Sequence, residues 1–147
     1  DNVNIATGSG DIVLTNVSGA IVANCGSGKI AVRNSSGSFA LITGSGRISM
    51  RHSSGPFALN TGSGDIEVHG ELTPGSENSV GAGSGSVTIE LADSPSVELD
   101  LESDDGEVRV DLQVDVRESS KGRLVGTVGS GEAALTVGTG SGNIVVK

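Results

Sequence analysis

A Ser-Gly pair recurs every nine residues in the first half of this chain, and this spacing limits the folds that the chain can adopt. The pairs end at Gly10, Gly19, Gly28, Gly37, Gly46, Gly55 and Gly64. After each pair, apolar residues stand at the second and fourth positions, as at Ile12 and Leu14 or Ile30 and Val32. Apolar residues at alternate positions, bounded by turn residues, predict short strands that are each buried on one face.

Neighbouring repeats differ, so the true period is eighteen residues. Gly-Ser-Gly turns alternate with Val-Ser-Gly or Ser-Ser-Gly turns, and the sixth position alternates between Thr or Cys and Asn or His. Two strands and two turns in eighteen residues form one coil of a narrow β-solenoid, with glycine at corners that require positive φ. A flat antiparallel meander uses the same turns, but it gives no reason for two turn types to alternate. We therefore predict an all-β, single-domain β-solenoid, or β-helix, with two short strands per 18-residue coil.

The second half of the chain departs from this rhythm. We predict one domain over 1–147, with regular nonapeptide repeats in 1–70 and longer acidic strands followed by final coils in 71–147. Alternating apolar residues predict a long strand from Val108 to Val116, followed by a loop over 117–122. Gly-Ser-Gly turns then return at 129–131 and 140–142. No helical pattern of useful length is present.

The Gly-Ser-Gly segments Thr61-Gly-Ser-Gly-Asp-Ile66 and Thr139-Gly-Ser-Gly-Asn-Ile144 carry a family resemblance. They resemble the bacterial putative-adhesin family of β-strand repeats, and the similarity covers nearly the whole chain. The resemblance implies a right-handed, single-stranded β-helix-like fold and a location at the cell surface. It brings no catalytic residues with it.

Composition and charge exclude several classes of partner. The chain has 24 glycines, two phenylalanines, no Trp and no Tyr, and its formal charge is −9. The first 70 residues hold four acids and four bases, so the whole excess of negative charge lies in 71–147. Such a chain is a poor candidate for binding nucleic acid or anionic membrane. No apolar run approaches the ~20 residues that a membrane span needs, and the single Cys25 cannot form an intrachain disulfide.

Two sequence features are candidates for calcium binding, the Gly-Ser-Gly turns and the acidic segment 100–107. The residue after the Gly-Ser-Gly turn reads Asp11, Lys29, Arg47 and Asp65 in successive coils, and cations at this position argue against the calcium repeat of β-rolls. The segment 100–107 faintly resembles a calcium loop, but no helices flank it. We interpret it as an acidic strand leading into an Asp-Gly turn, and weak calcium binding there stays open.

No residue constellation for catalysis is evident. The serines occupy turn positions, and His52 and His69 both stand inside repeat columns, where His52 replaces Asn. Cys25 replaces Thr in its column and is expected to pack as a small side chain. We predict that the chain is not an enzyme and that it uses no cofactor.

The outward columns of the two predicted sheets differ. One sheet presents Lys29, Arg33, Arg47 and Arg51 beside acids, whereas the other presents no charge in its three regular coils. This second surface is either bland or covered by a loop, or it is a face for lateral packing against another subunit or a flat ligand. The candidate lateral-packing face consists of Ala20, Val22, Asn24, Ser38, Ala40, Ile42, Pro56, Ala58 and Asn60.

Both ends of the chain lie in register with the repeat. Val3 and Ile5 already occupy core columns, and Ile144 and Val146 lie in a strand where the sequence stops. Either the chain is a fragment of a longer protein, or copies stack head to tail so that each caps the next. We expect end-to-end contact through these four residues.

These observations favour an extracellular or cell-surface, non-enzymatic module with a structural or adhesive role, which self-associates end to end into a fibre. A receptor on another surface is a further candidate partner. The alternatives are a ligand- or carbohydrate-binding surface domain, or an envelope-associated domain with a protein partner. The carbohydrate alternative is weakened because Phe39 and Phe57, the chain's two aromatic residues, stand in core columns.

Overall fold

A computed structural model describes residues 2–71, 75–91, 96–111 and 114–147. These residues form sixteen β-strands and no helix, which confirms the predicted all-β class. The strands are β1 (Val3–Ser9), β2 (Ile12–Thr15), β3 (Ser18–Ser27), β4 (Ile30–Arg33), β5 (Ser36–Ser45), β6 (Ile48–Ser54), β7 (Phe57–Ser63), β8 (Ile66–Glu71), β9 (Glu77–Ser84), β10 (Val87–Leu91), β11 (Val97–Ser103), β12 (Val108–Val110), β13 (Asp115–Ser120), β14 (Arg123–Val128), β15 (Ala133–Ser141) and β16 (Ile144–Val146).

The strands form a solenoid-like stack with two sides. Parallel strands run along one side in the order β2, β4, β6, β8, β10, β16, β12, and along the other in the order β1, β3, β5, β7, β9, β15, β11. In the first half, partners are eighteen residues apart, so Ile12 pairs with Ile30, Ile30 with Ile48, and Ile48 with Ile66. The same position of successive coils therefore stacks in the core.

The core lies between the two sides and is filled by aliphatic ladders. Every second strand residue points inward. In β4, Ile30 and Val32 are buried, whereas Ala31 is half-buried and Arg33 is exposed. Phe39 and Phe57 are buried in the same way, at 2% and 4% exposure. Each large aliphatic side chain removed from water contributes roughly 1.5–3 kcal/mol, so the ladders are the main source of stability.

The two kinds of corner are built differently. At the Gly-Ser-Gly corner, Gly46 has φ +147°, and a Cβ on it would lie 1.8 Å from the carbonyl oxygen of Gly28 in the preceding coil. The Thr43 hydroxyl donates to that same oxygen at 3.4 Å. At the other corner, Asn34 and His52 both adopt the left-handed conformation, at φ 50° and 51°, so His52 takes over the backbone role of Asn.

The last two strands in chain order lie inside the stack, which corrects the expectation for the C-terminal residues. β16 pairs with β10 on one side and β12 on the other, and Ile144 and Val146 are 0% exposed. Likewise β15 lies between β9 and β11. Ile144 and Val146 are therefore unable to supply an end-to-end contact, because other strands cover them in both directions.

A second correction concerns 108–122. The predicted long strand from Val108 to Val116 is instead the short β12 and the separate β13, and residues 112–113 lie outside the described part of the chain. β13 takes up part of the predicted loop and pairs antiparallel with β14, which pairs antiparallel with β11. An antiparallel hairpin therefore covers the β11 edge of the stack, and the described residues of β13 are exposed.

Candidate interaction surfaces

The nine residues of the predicted lateral-packing face lie together on the outward side of β3, β5 and β7 or directly beside these strands. Val22 pairs with Ala40, which pairs with Ala58, and Ile42 stands between Asn24 and Asn60 in the next column. Val22 and Ile42 are 43% and 47% exposed, which makes them two of the large apolar side chains that the described surface presents to water. We call this surface the uncharged face.

A groove continues the uncharged face toward β11. The column through Asn60 runs on to Gly81 and Gly138, so two adjacent strands carry no side chain there, and it reaches Glu102 on β11. The resulting groove has a volume of about 500 Å³. Asn60, Thr136, Asp100 and Glu102 line it with amide, hydroxyl and carboxylate groups, and both carboxylates lie 3.8 Å from the Arg123 guanidinium.

The opposite side of the stack carries a group of four cations, Lys29, Arg33, Arg47 and Arg51, which we call the basic cluster. Arg33 is the register partner of Arg51, and the Ile30 N–H bonds to the Arg47 carbonyl, which sets Lys29 beside Arg47. The small residues Ala31 and Ser49 form the floor between these two pairs. The cluster surrounds a shallow depression of about 220 Å³.

Ion pairs occupy one half of the basic cluster. Arg47 lies 3.5 Å from Asp65, and Arg51 lies 3.8 Å from Glu67. In the part of the chain that the structure describes, no carboxylate lies within ion-pair distance of the Lys29 or Arg33 side chain. Two cations of the cluster therefore face solvent unpaired.

His69 joins two acids beside the cluster. Its Nε2 lies 3.0 Å from Glu67 Oε1, and its Nδ1 lies 3.0 Å from Glu90 Oε2 in the next coil. The hydrogen bond with His69, helped by the charges of His69, Arg51 and Arg47, lowers the pKa of Glu67 despite the opposing effect of burial. Glu67 is therefore held as a carboxylate that faces the cations of the cluster.

The acidic segment 100–107 is divided between a strand and a corner. Asp100 and Glu102 stand on β11, whereas the backbone N–H groups of Asp104 and Asp105 bond to the carbonyls of Thr139 and Gly140, so these residues form a corner over the coil below. Within residues 2–71, 75–91, 96–111 and 114–147, no group of three or more His, Cys, Asp or Glu side chains is arranged to hold a metal ion. The same residues contain no helix that is long and apolar enough to cross a membrane.

The remaining predicted residues lie apart from these surfaces. Val3 and Ile5 are half-buried on β1, whose strand partner among the described residues is β3. Cys25 is buried with its Sγ 3.2 Å from the Gly10 carbonyl oxygen, the corner contact that Thr43 and Thr61 make in later coils. Sequence reasoning missed the groove, and the signal that could have found it is a glycine at an outward strand position.

The architecture defines a β-strand repeat protein with a solenoid-like fold. The family that matches is Toastrack DUF4097, over residues 1–147, and the chain belongs to that family. Comparisons with curated proteins and with solved structures give no match. The family match supports the β-strand repeat that the Gly-Ser-Gly segments suggested, and it does not extend to an adhesive role.

Proposed function

We propose that this chain is a non-enzymatic structural or adhesive module of the cell surface, which assembles with further copies of itself through the sides of its stack. The observation that carries the proposal is the uncharged face, where Val22 and Ile42 stand exposed on a flat, regularly spaced β-surface. The surface location rests on the resemblance to bacterial putative-adhesin repeats, and labelling intact cells with an antibody tests it.

Rigidity supports an assembling role. Corner glycines pack against the backbone of the preceding coil at distances that leave no room for a Cβ, as at Gly46, and aliphatic ladders fill the core. A surface that is already ordered loses little conformational entropy when it makes a contact. The uncharged face can therefore bind a flat partner without a folding cost.

The size of the face indicates weak individual contacts. Three strands at about 4.8 Å spacing give a patch roughly 10 Å by 13 Å. This is much smaller than the ~800 Å² per partner of a stable protein complex. Such contacts become effective when many copies are displayed together, because linked sites bind with multiplied strength. A module that works in arrays fits this requirement.

The variant Ile42→Lys tests the uncharged face. Placing a charge in an apolar contact is expected to weaken self-association at least about tenfold, the equivalent of ~1.4 kcal/mol. Sedimentation velocity over a wide protein concentration range measures the effect. The matched control is Val116→Lys, since Val116 is 49% exposed on β13, outside the face. A wild-type chain that stays monomeric at the highest concentration, or two variants that behave alike, would overturn the proposal.

The groove favours one second candidate, a carbohydrate-binding surface domain. Its amide, hydroxyl and carboxylate groups can pair with sugar hydroxyls over a floor of bare backbone at Gly81 and Gly138. We expect Gly138→Asn to fill the groove and to abolish binding on a glycan array, because a Cβ on Gly138 meets no atom within 4 Å. A wild-type chain that binds no glycan, or binding that survives the substitution, excludes this candidate.

A further inference from the structure

The structure contains an acidic surface that, like the Lys29 and Arg33 half of the basic cluster, carries charge that no ion pair within the described residues satisfies. It is the corner between β11 and β12, where Asp104, Asp105 and Glu107 surround Gly106; we call it the acidic corner. All three carboxylate residues are exposed. In the described part of the chain, none of the three lies within ion-pair distance of a cation.

Hydrogen bonds hold the acidic corner in one shape. The Ser103 hydroxyl accepts from the Gly106 N–H at 2.9 Å and donates to the Gly142 carbonyl at 2.8 Å. The Glu107 N–H donates to the Asn143 side chain at 3.0 Å. The carboxylates are therefore presented from a fixed backbone, so little entropy is lost when they bind.

The basic cluster and the acidic corner are far apart within one molecule. Strands β8, β10 and β16 separate β6 from β12, and β4 lies one strand further away. At about 4.8 Å per strand, the separation along the stack is roughly 19–24 Å. Because the stack is rigid, the two surfaces can meet only between different copies.

We propose that the acidic corner of one copy binds the basic cluster of the next copy. The three acidic residues of the corner are exposed, and the cluster surrounds a shallow depression of about 220 Å³. The unpaired carboxylates of the corner meet the unpaired Lys29 and Arg33, so the contact satisfies charges that the single molecule leaves in water. Carboxylate–guanidinium pairs are the stronger, directional form of such contacts.

The net charge of −9 does not prevent this contact. At physiological ionic strength the Debye length is about 8 Å, so the mutual repulsion of two copies is largely screened while ion pairs in direct contact persist. Two unlike surfaces on one molecule form a heterologous contact, which extends without limit unless its rotation closes a ring. Copies then overlap with a stagger along the stack instead of meeting end to end.

This inference rests on the proposed function, self-association, but assigns it to a different surface. The test is a charge swap followed by sedimentation velocity at low and high salt. Lys29→Glu with Arg33→Glu, and separately Asp104→Lys with Asp105→Lys, are each expected to weaken self-association at least about tenfold, because like charges then face each other. Mixing the two double variants is expected to restore assembly, since each then carries the partner of the other.

The matched control for the Lys29→Glu/Arg33→Glu swap is Lys121→Glu with Lys147→Glu, which lowers the net charge by the same amount at exposed positions outside the basic cluster. It is expected to associate like the wild type, and high salt is expected to dissolve the wild-type assembly. Failure of the mixture to restore assembly overturns the proposal. A second result also overturns it: millimolar inorganic phosphate inhibits self-association of the wild type, and mixing the two double variants does not restore assembly. That result would identify the basic cluster as a site for small anions.

Failure of this inference and failure of the proposed function give different results. A wild-type chain that is monomeric in every condition overturns both. Assembly that Ile42→Lys abolishes and the charge swaps leave intact overturns this inference alone. Assembly that the swaps abolish and Ile42→Lys leaves intact supports this contact and removes the uncharged face from the assembly. Circular dichroism of each variant verifies that the β-structure is retained.

Discussion

Replacing Gly46 by alanine is expected to destabilise the protein by about 2–5 kcal/mol, since two costs add at that position. The backbone at Gly46 has φ +147°, a conformation that a residue with a Cβ rarely adopts. In addition, the new Cβ would lie 1.8 Å from the Gly28 carbonyl oxygen and 2.7 Å from its carbonyl carbon. Backbone atoms cannot turn away as a side chain can, so the two coils must separate at that corner.

Gly138→Ala is the matched control for this prediction. Gly138 lies in β15 with no atom within 4 Å of a Cβ placed on it, and its φ is outside the range that demands glycine. We expect its free energy of unfolding to change by less than about 1 kcal/mol, with a gain if the unfolded chain loses conformational freedom. Urea unfolding of both variants measures the difference, provided that the m-value is unchanged. Equal effects at the two positions would show that corner packing does not limit the stack.

The regular half of the fold could be predicted because its pattern is redundant. Ile12, Ile30, Ile48 and Ile66 occupy one column, and a one-residue slip would move each of them from the core to solvent. The position of the last coil could not be predicted in the same way. A Thr-Gly-Ser-Gly corner such as 139–142 stacks on any corner of the same kind, so local pattern does not choose its neighbour. The structure places this corner on Gly83–Gly85 and beneath Asp104–Gly106.

The side chain of Asn78 makes backbone hydrogen bonds that the pattern of apolar residues does not predict. Register partners are eighteen residues apart between β5 and β7, but they are twenty-one residues apart between β7 and β9, where Leu59 pairs with Val80. At this step Asn78 is buried, and its side-chain oxygen accepts the Phe57 N–H at 3.1 Å while its amide donates to the Ala134 carbonyl at 3.0 Å. The side chain takes the place of ladder hydrogen bonds between three successive strands. A sequence reading sees only a polar residue in an apolar column.

The candidate surfaces also differ in whether the sequence could predict them. The uncharged face follows from columns within the regular repeats, and its members were accessible to sequence reasoning. The groove depends on Gly81 and Gly138, which are distant in sequence and become neighbours because β15 lies beside β9. The acidic corner likewise depends on β11 lying over β15. Surfaces that depend on the position of β15 and β16 inside the stack therefore could be identified only from the structure.

The interior position of β16 predicts a large effect at Ile144, a residue that would matter little at a frayed chain end. Ile144 is 0% exposed and pairs with Val87 and Val108 in the two neighbouring strands. Ile144→Ala is expected to cost about 2–5 kcal/mol, as for other buried aliphatic truncations. Ile144→Asp is expected to prevent folding, because an unpaired carboxylate would be buried in the ladder.

Val3→Ala provides the comparison that distinguishes a β16 inside the stack from a β16 at an open edge. Val3 occupies a half-buried position on β1, and its strand partner is Ile21. We expect this truncation to cost less than about 1 kcal/mol, because the side chain is already partly in water. Thermal unfolding followed by circular dichroism measures both alanine variants under identical conditions. An Ile144→Ala chain as stable as Val3→Ala would place β16 at an open edge and contradict the interleaved stack, and with it the placement of the acidic corner over β15 and β16.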